Sequence, residues 1–386
     1  TIAFNQVYEN FEIGEATLST YISCTRDRDL IYVKQGFVMG LAINALALYL
    51  AIKRFLHDKD IDVVYNFNGR QGYVRAIMRA AMASQINCFN VERARMGGFI
   101  EFYKNVLPHN IGAKKQLIED CWADSPLPEN EKRKVGALFF ERQRKGESVI
   151  FPSYLKKQTK YALPEVVKNG NENVVLFNSS DDEFAALGAE FKNPLFKNQN
   201  EGIEWLVEVY GKKRPHINFI VRMHPNLAGV TFDYVVHLKN LHQKYPNIHV
   251  VPPESKIDSY ALIDSAAKVL TFGSTLGLEA NFYGKPVILL GKCFYYFSSV
   301  AYTPKSKEEA LELIDADLKP LPKINAVKFG FYFLKGGIKS EYYFEKNMGE
   351  GIYFKGKRTY SYSLYERFVA KIIQTTYRFF GIRLKL

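Results

Sequence analysis

Three short stretches of this chain carry residue types suited to holding a phosphate ester. Gly273-Ser274-Thr275 stands between an apolar run, Lys268 to Phe272, and a helical run, Leu276 to Tyr283, which Gly284 stops. A turn there aims the unpaired N–H groups and positive end of the following helix at whatever lies beyond the strand, and Ser274 and Thr275 add hydroxyl donors. Glu279, about one turn on, can accept from a ribose diol. The same two hydroxyls also serve as ordinary helix caps. In the second stretch a strand at 217–222 runs into Met223-His224-Pro225-Asn226, delivering Arg222 and His224 as an anion-binding pair. In the third, a strand at 173–177 opens into Asn178-Ser179-Ser180-Asp181-Asp182-Glu183. Polar groups at a strand end are costly to bury without partners. One reading has Ser179 and Ser180 contacting a nucleotide and Asp181 or Asp182 acting at a sugar centre. A capped helix start with acids suiting its dipole accounts for the same residues.

Earlier in the chain, Glu92 follows a strand at 86–91 and precedes Arg93-Ala94-Arg95-Met96-Gly97-Gly98. A carboxylate there can serve as a catalytic acid or base, or simply pair with Arg95. The turn Asn68-Gly69-Arg70 after a strand at 63–67 is similar, and Arg70, Arg93 and Arg95 are the cations available to an anionic acceptor or donor carboxylate. Arg75 is a further cation, and His109 a weaker acceptor-site residue.

Each stretch needs a strand to deliver it and a helix to back it. Short β runs alternating with amphipathic helices give an α/β protein whose strand ends face a common crevice. At 386 residues the chain holds two domains. The expected division is 1–150, a linker at 151–172 that turns basic and polar around Pro152, Pro164 and Gly170, a second domain at 173–330, and an aromatic, basic segment at 331–386.

R-x-H-P at 222–225, followed at 259–286 by S-Y-x-L-I-x-S-A-x-x-V-L-T-x-x-S-T-x-G-x-E-A-x-x-x-G-K-P, resembles the bacterial capsule and lipopolysaccharide polysaccharide-biosynthesis glycosyltransferases. These include enzymes that transfer Kdo from CMP-Kdo. The resemblance is specific across about 173–291 and weaker before it. It implies a GT-B architecture: two Rossmann-like lobes with a central cleft, the sugar nucleotide in the carboxyl-terminal lobe and the glycan or glycolipid acceptor in the other. It also implies that Glu254 and Ser255 approach the nucleobase. Protein groups generally stabilise the leaving phosphate in such enzymes, so no metal and no cofactor are expected beyond the donor, with a CMP-linked sugar favoured. His224, Ser274, Thr275 and Arg222 would then serve the phosphate, Glu279 the ribose, and Glu92, Asp181 and Asp182 the proton or the oxocarbenium-like centre.

Four widely spaced cysteines form neither a zinc pattern nor a disulfide framework, consistent with a reducing cytoplasm. The apolar run 37–52 has 16 residues, fewer than the roughly 20 that span a bilayer, and is read as a buried helix. A net charge of +12 asks for an anionic partner. From Gly351 onward eight Lys or Arg stand against Glu366 alone, 8 − 1 = +7, and Phe368, Ile372, Phe379, Ile382 and Leu386 recur at helical spacing. That pattern predicts a carboxyl-terminal amphipathic helix at the cytoplasmic face of the inner membrane, or one packed back on the first lobe. Nucleic-acid binding has no recognisable module behind it. A teichoic-acid-type polyol-phosphate transferase and a non-catalytic bilobal sugar-binding protein are the alternatives.

Overall fold

The computed structural model describes residues 5–25, 27–28, 30, 33–147, 154–180, 186–341, 343–345, 352–355, 357–360 and 363–379. In chain order these form α1 (Ile13–Thr25), α2 (Gln35–Asp58), β1 (Val63–Phe67), α3 (Gly72–Ala83), β2 (Asn87–Arg93), β3 (Phe99–Lys104), α4 (Ile111–Ala123) and α5 (Glu129–Arg144). There follow β4 (Glu172–Phe177), α6 (Gln199–Lys213), β5 (Ile217–Arg222), α7 (Asp233–Asn240), β6 (Ile248–Val251), α8 (Ser259–Ser265), β7 (Lys268–Thr271), α9 (Thr275–Phe282) and β8 (Val287–Leu289). The last elements are α10 (Lys307–Asp315), α11 (Lys323–Lys335), β9 (Ile338–Lys339), β10 (Tyr343–Glu345), β11 (Ile352–Phe354), β12 (Lys357–Tyr360) and α12 (Leu364–Phe379).

The α/β class is as expected, and the chain forms two compact units. Both are discontinuous in sequence: one holds 1–113, 181–190 and 337–386, the other 114–180 and 191–336. Helix α5, which falls within the expected range 1–150, belongs to the second unit because it packs on α11. The two helices cross at Gly136 and Gly330, close enough that a methyl on Gly330 would overlap the carbonyl of Gly136.

The second unit is built on a five-stranded parallel sheet of order β6-β5-β4-β7-β8. Numbered within the unit this is 3-2-1-4-5, the dinucleotide-fold order, and its direction of winding reverses between β4 and β7. Alternate residues of each strand enter two separate cores, as strand geometry requires. Val175, Phe177, Ile220, Val269 and Val287 face one, with α5 and α11. Val174, Leu176, Phe219, Leu270 and Ile288 face the other, with α6 and α7. Strands buried on both faces read as unbroken apolar runs, which is why they were legible.

The first unit has a four-stranded mixed sheet, β1-β2-β3-β9. β1, α3 and β2 form a parallel crossover, and β3 and β9 extend it antiparallel. α1, α2 and α3 pack together, with α3 against β1 and β2. The run 37–52, read as a buried helix, is part of the longer α2, and only 22% of its apolar window is buried. One face is anchored through Ala42, Ala45 and Tyr49, whose ring stacks on Phe11 at 5.3 Å. The opposite face is open. Residues 2–4 and 31–32, in stretches (2–5 and 30–33) whose sequence also suggests short strands, lie outside the described residues.

Because the α5–α11 crossing has no room for a Cβ, Gly330→Ala is expected to cost about 1–3 kcal/mol and to lower the second unit's calorimetric Tm by roughly 2–4 °C per kcal/mol. An unchanged transition would show that the crossing opens freely.

Candidate functional site

The carboxyl edge of the second unit's sheet collects the residues picked out from its sequence. β4 is paired in register with both neighbours, Phe177 opposite Arg222 of β5 and opposite Thr271 of β7. The turns after all three strands therefore leave one edge at one level. The β4 turn joins the other two. The His224 N–H donates to Asn178 Oδ1 at 2.6 Å, and the Ser179 hydroxyl would lie 3.6 Å from a Cβ on Gly273.

The β7 turn is made by its own side chains. Thr271 Oγ1 accepts the N–H groups of Gly273 and Ser274 at 3.1 and 2.9 Å. Gly273 has φ +139°, where an L side chain is strained, and a Cβ there would press on Cys293. Ser274 is buried and caps α9 by accepting the Leu276 N–H at 3.3 Å, so the cap is one of its functions. The Tyr295 hydroxyl holds the Ser274 carbonyl at 2.6 Å. Thr275, at the first turn of α9, is exposed.

His224 Nδ1 accepts the Asn226 N–H at 3.1 Å. The neutral ring therefore carries its proton on Nε2, as a donor. Tyr154 packs edge-on to this ring at 5.6 Å, and its hydroxyl bonds to Asn226 Oδ1. Gln199 brackets Ser179, accepting its N–H at 2.8 Å and donating to its carbonyl at 3.1 Å. Asn178 is 1% exposed, and its Nδ2 is buried with no hydrogen-bond partner among the described residues. Such a donor is costly unless a ligand satisfies it. Turning the amide over would leave the His224 N–H facing an NH₂ group, so the unpartnered atom is the donor.

Several expected roles meet different geometry. Arg222 is 2% exposed and donates to the Pro252 and Ser255 carbonyls at 2.6 and 3.4 Å, so it fastens the β6 turn. Burial lowers its pKa to about 10, against the opposing field of Glu254, and it stays charged at neutral pH. Its Nε, also buried, has no hydrogen-bond partner among the described residues. Glu254 pairs with Lys239 at 3.0 Å, and Ser255 Oγ accepts the Ile257 N–H at 3.2 Å. Glu279 is 5% exposed and takes a hydrogen bond from the Tyr260 hydroxyl. Burial and the Glu279 carboxylate push the Tyr260 pKa well up, which keeps that hydroxyl protonated and donating. Ser180 is 4% exposed, and Asp181 and Asp182 lie outside the described residues.

Glu92, Arg70, Arg93 and Arg95 belong to the first unit. Glu92 accepts from Asn68 Nδ2 and from the Arg93 N–H at 2.9 Å, tying the turns after β1 and β2. Arg70 bonds to the Ser23 hydroxyl, and Arg93 and Arg95 are half-buried. Arg75 is 1% exposed and donates to the Gly69 carbonyl at 3.0 Å, a support for the turn. Among the described residues no group of three His, Cys, Asp or Glu is placed to hold a metal ion.

Asn178, Gln199 and Tyr154 were not singled out from the sequence. Asn178 stood one residue before the serines and could have been found as the first polar residue after a buried strand. Tyr154 gave no signal, since it reaches His224 from the expected linker.

Residues 165–332 match the family model of capsule polysaccharide biosynthesis proteins. The resemblance read from the motifs is thereby borne out over this segment. Among solved structures the chain is similar to the Thermosulfurimonas dismutans KpsC β-Kdo 2,4 transferase, at 14% identity over 69% of this chain and 78% of that one, with a TM-score of 0.43. The β-Kdo 2,7 transferase of the same KpsC aligns at 12% identity over 86% and 96%, TM-score 0.38. The Neisseria meningitidis UDP-GlcNAc 2-epimerase bound to UDP-GlcNAc aligns at 14% over 80% and 84%, TM-score 0.31. Likenesses this distant carry no function across to the chain. No curated protein matches it by sequence.

Tyr260→Phe removes a donor from a buried carboxylate and is expected to cost about 1–3 kcal/mol. Glu279→Gln in the Tyr260→Phe background should recover part of it, read by the calorimetric transition; no recovery would mean that the Glu279 charge is satisfied elsewhere.

Proposed function

We propose, from the premise that residues 165–332 match the capsule polysaccharide biosynthesis family, that the protein is a glycosyltransferase that moves a sugar from a nucleotide donor to a surface glycan or glycolipid. The observation that carries this is the unpartnered Asn178 amide at the switch point of a 3-2-1-4-5 sheet, beside a histidine whose Nε2 is set as a donor and a capped helix start. These groups share one chemistry: all stabilise negative charge. A leaving nucleotide phosphate gains charge as the glycosidic bond lengthens, so donors fixed beforehand favour the transition state over the ground state.

In this reading Asn178 Nδ2, His224 Nε2, the Thr275 hydroxyl and the start of α9 receive the phosphate. Glu279 reaches the ribose only by sharing its bond with Tyr260. Glu92, Asp181 and Asp182 are the carboxylates to be tested for the acceptor proton, with Arg70, Arg93 and Arg95 as cations for an acidic sugar. A CMP-linked donor and freedom from metal belong to the proposal, and activity is expected to survive EDTA. So does attachment to the cytoplasmic face of the inner membrane through α12, where Tyr365, Phe368, Ile372 and Ile373 are exposed beside Lys371.

Thermal shift with CMP, UDP, GDP and ADP tests the donor. A nucleotide at one hundred times its dissociation constant adds about 2.7 kcal/mol to the state that binds it. CMP is expected to raise the Tm most, and silence from all four would sink the reading. Asn178→Asp keeps an acceptor for the His224 N–H and replaces the unpartnered donor with an anionic oxygen. It is expected to weaken CMP at least tenfold, measured on a variant whose own apo transition shows it to be folded. Unchanged affinity would remove Asn178 from the site.

A further inference from the structure

One residue holds the His224 ring both directly and through a neighbour. Tyr154, which stands 72 positions before Asn226 in the chain, packs its ring edge-on to the imidazole at 5.6 Å and 75°, and its hydroxyl donates to Asn226 Oδ1. The Asn226 N–H in turn donates to His224 Nδ1 at 3.1 Å. Phenol, Asn226 and imidazole thus form a closed circuit of contacts.

Such a circuit decides where the imidazole proton sits and where it points. With Nδ1 protonated, two N–H groups would face each other across 3.1 Å, so the Asn226 N–H selects the Nε2–H form. That selection lasts only while the ring keeps its orientation. A half-turn about the Cβ–Cγ bond would put Cδ2 where Nδ1 stands and Cε1 where Nε2 stands. The Tyr154 ring stands against that turn, and its hydroxyl holds the residue whose N–H makes the selection.

A group that positions another must itself be fixed. Tyr154 opens a 3-10 turn, Tyr154–Lys157, whose Leu155 packs on the core beside the sheet and whose end is closed by the Gln158 N–H on the Leu155 carbonyl at 2.9 Å. Gln158 bonds both ways to Ser259, accepting its N–H at 2.9 Å and donating to its hydroxyl at 3.2 Å. Next, the Thr159 N–H donates to the Lys256 carbonyl at 2.8 Å, and the Tyr161 N–H to Asp258 Oδ2 at 2.9 Å. The segment that carries Tyr154 is therefore fastened along the residues leading into α8.

We infer that Tyr154 is a positioning residue that keeps His224 oriented as an Nε2–H donor. Its purpose rests on the transferase reading, in which that donor meets the leaving phosphate. The orientation itself is a property of the unliganded chain.

The test uses the full chain with isotopically labelled histidine. Long-range proton–nitrogen correlations are expected to show His224, identified among the seven histidines by its loss in His224→Ala, in the Nε2–H form. In Tyr154→Ala its two nitrogen shifts should move toward each other as the forms mix, and CMP, followed by titration calorimetry, should bind about tenfold more weakly. Tyr154→Phe keeps the ring and should lose only about threefold. In the His224→Ala background Tyr154→Ala should cost nothing further, since its effect runs through the imidazole. Parent shifts already averaged, a Tyr154→Ala chain with the parent's shifts and CMP affinity, or a cost retained in full without His224 overturns the inference. Should Tyr154→Ala not fold, unchanged shifts and affinity in Tyr154→Phe overturn it. A parent that binds no nucleotide defeats the transferase reading instead, and the nitrogen shifts then decide the role of Tyr154 alone.

Discussion

The rest of the second unit depends on β4 pairing in parallel with β5 on one side and β7 on the other. That arrangement alone brings turns separated by some 45 and 95 residues of chain to one edge at one level. The polar contacts follow from it. With Phe177 opposite both Arg222 and Thr271, Asn178 is the first residue past the strand, its N–H donating to the Arg222 carbonyl at 3.4 Å and its side chain meeting the His224 backbone rather than solvent. A slip of one residue would turn Asn178 away and force Val175 and Phe177 into the core that Val174 and Leu176 fill, so the fit of alternate residues to two cores fixes the site as well as the fold.

Much of the edge is held by groups whose hydrogen bonds are spent on structure. Arg222, Thr271, Gln199, Tyr295 and Tyr260 each fasten a turn or a neighbouring side chain. What they leave over includes the Asn178 amide, whose Nδ2 has no hydrogen-bond partner among the described residues. Preorganisation of this kind lets a few donors act strongly, because the protein has already met the cost of aligning them.

The sequence made the second unit far more legible than the first, for a physical reason. β4, β5 and β7 are buried on both faces, so each is a largely apolar run closed by polar or turn-forming residues. In the first unit the hairpin of β2 and β3 hid behind Arg93 to Gly98, a run whose charges drew attention as chemistry although its structure is a tight reversal. α11 went unassigned because Gly330 and the aromatics around it read as irregular, whereas the glycine is what lets the helix approach α5. α2 shows that composition gives hydrophobicity but not its direction: an apolar run marks a helix, and only its neighbours decide which side they cover. Arg222 makes the same point for charge. A cation after a strand suits an anion, yet nearby carbonyls can claim it first.

The most direct measurement of the central claim is a crystal structure of the full chain with CMP. The account predicts the phosphate at the carboxyl edge between β4 and β7, within hydrogen-bond distance of Asn178 Nδ2 and His224 Nε2. A nucleotide ordered anywhere else on the chain, with the Asn178 amide still unpartnered, would contradict it.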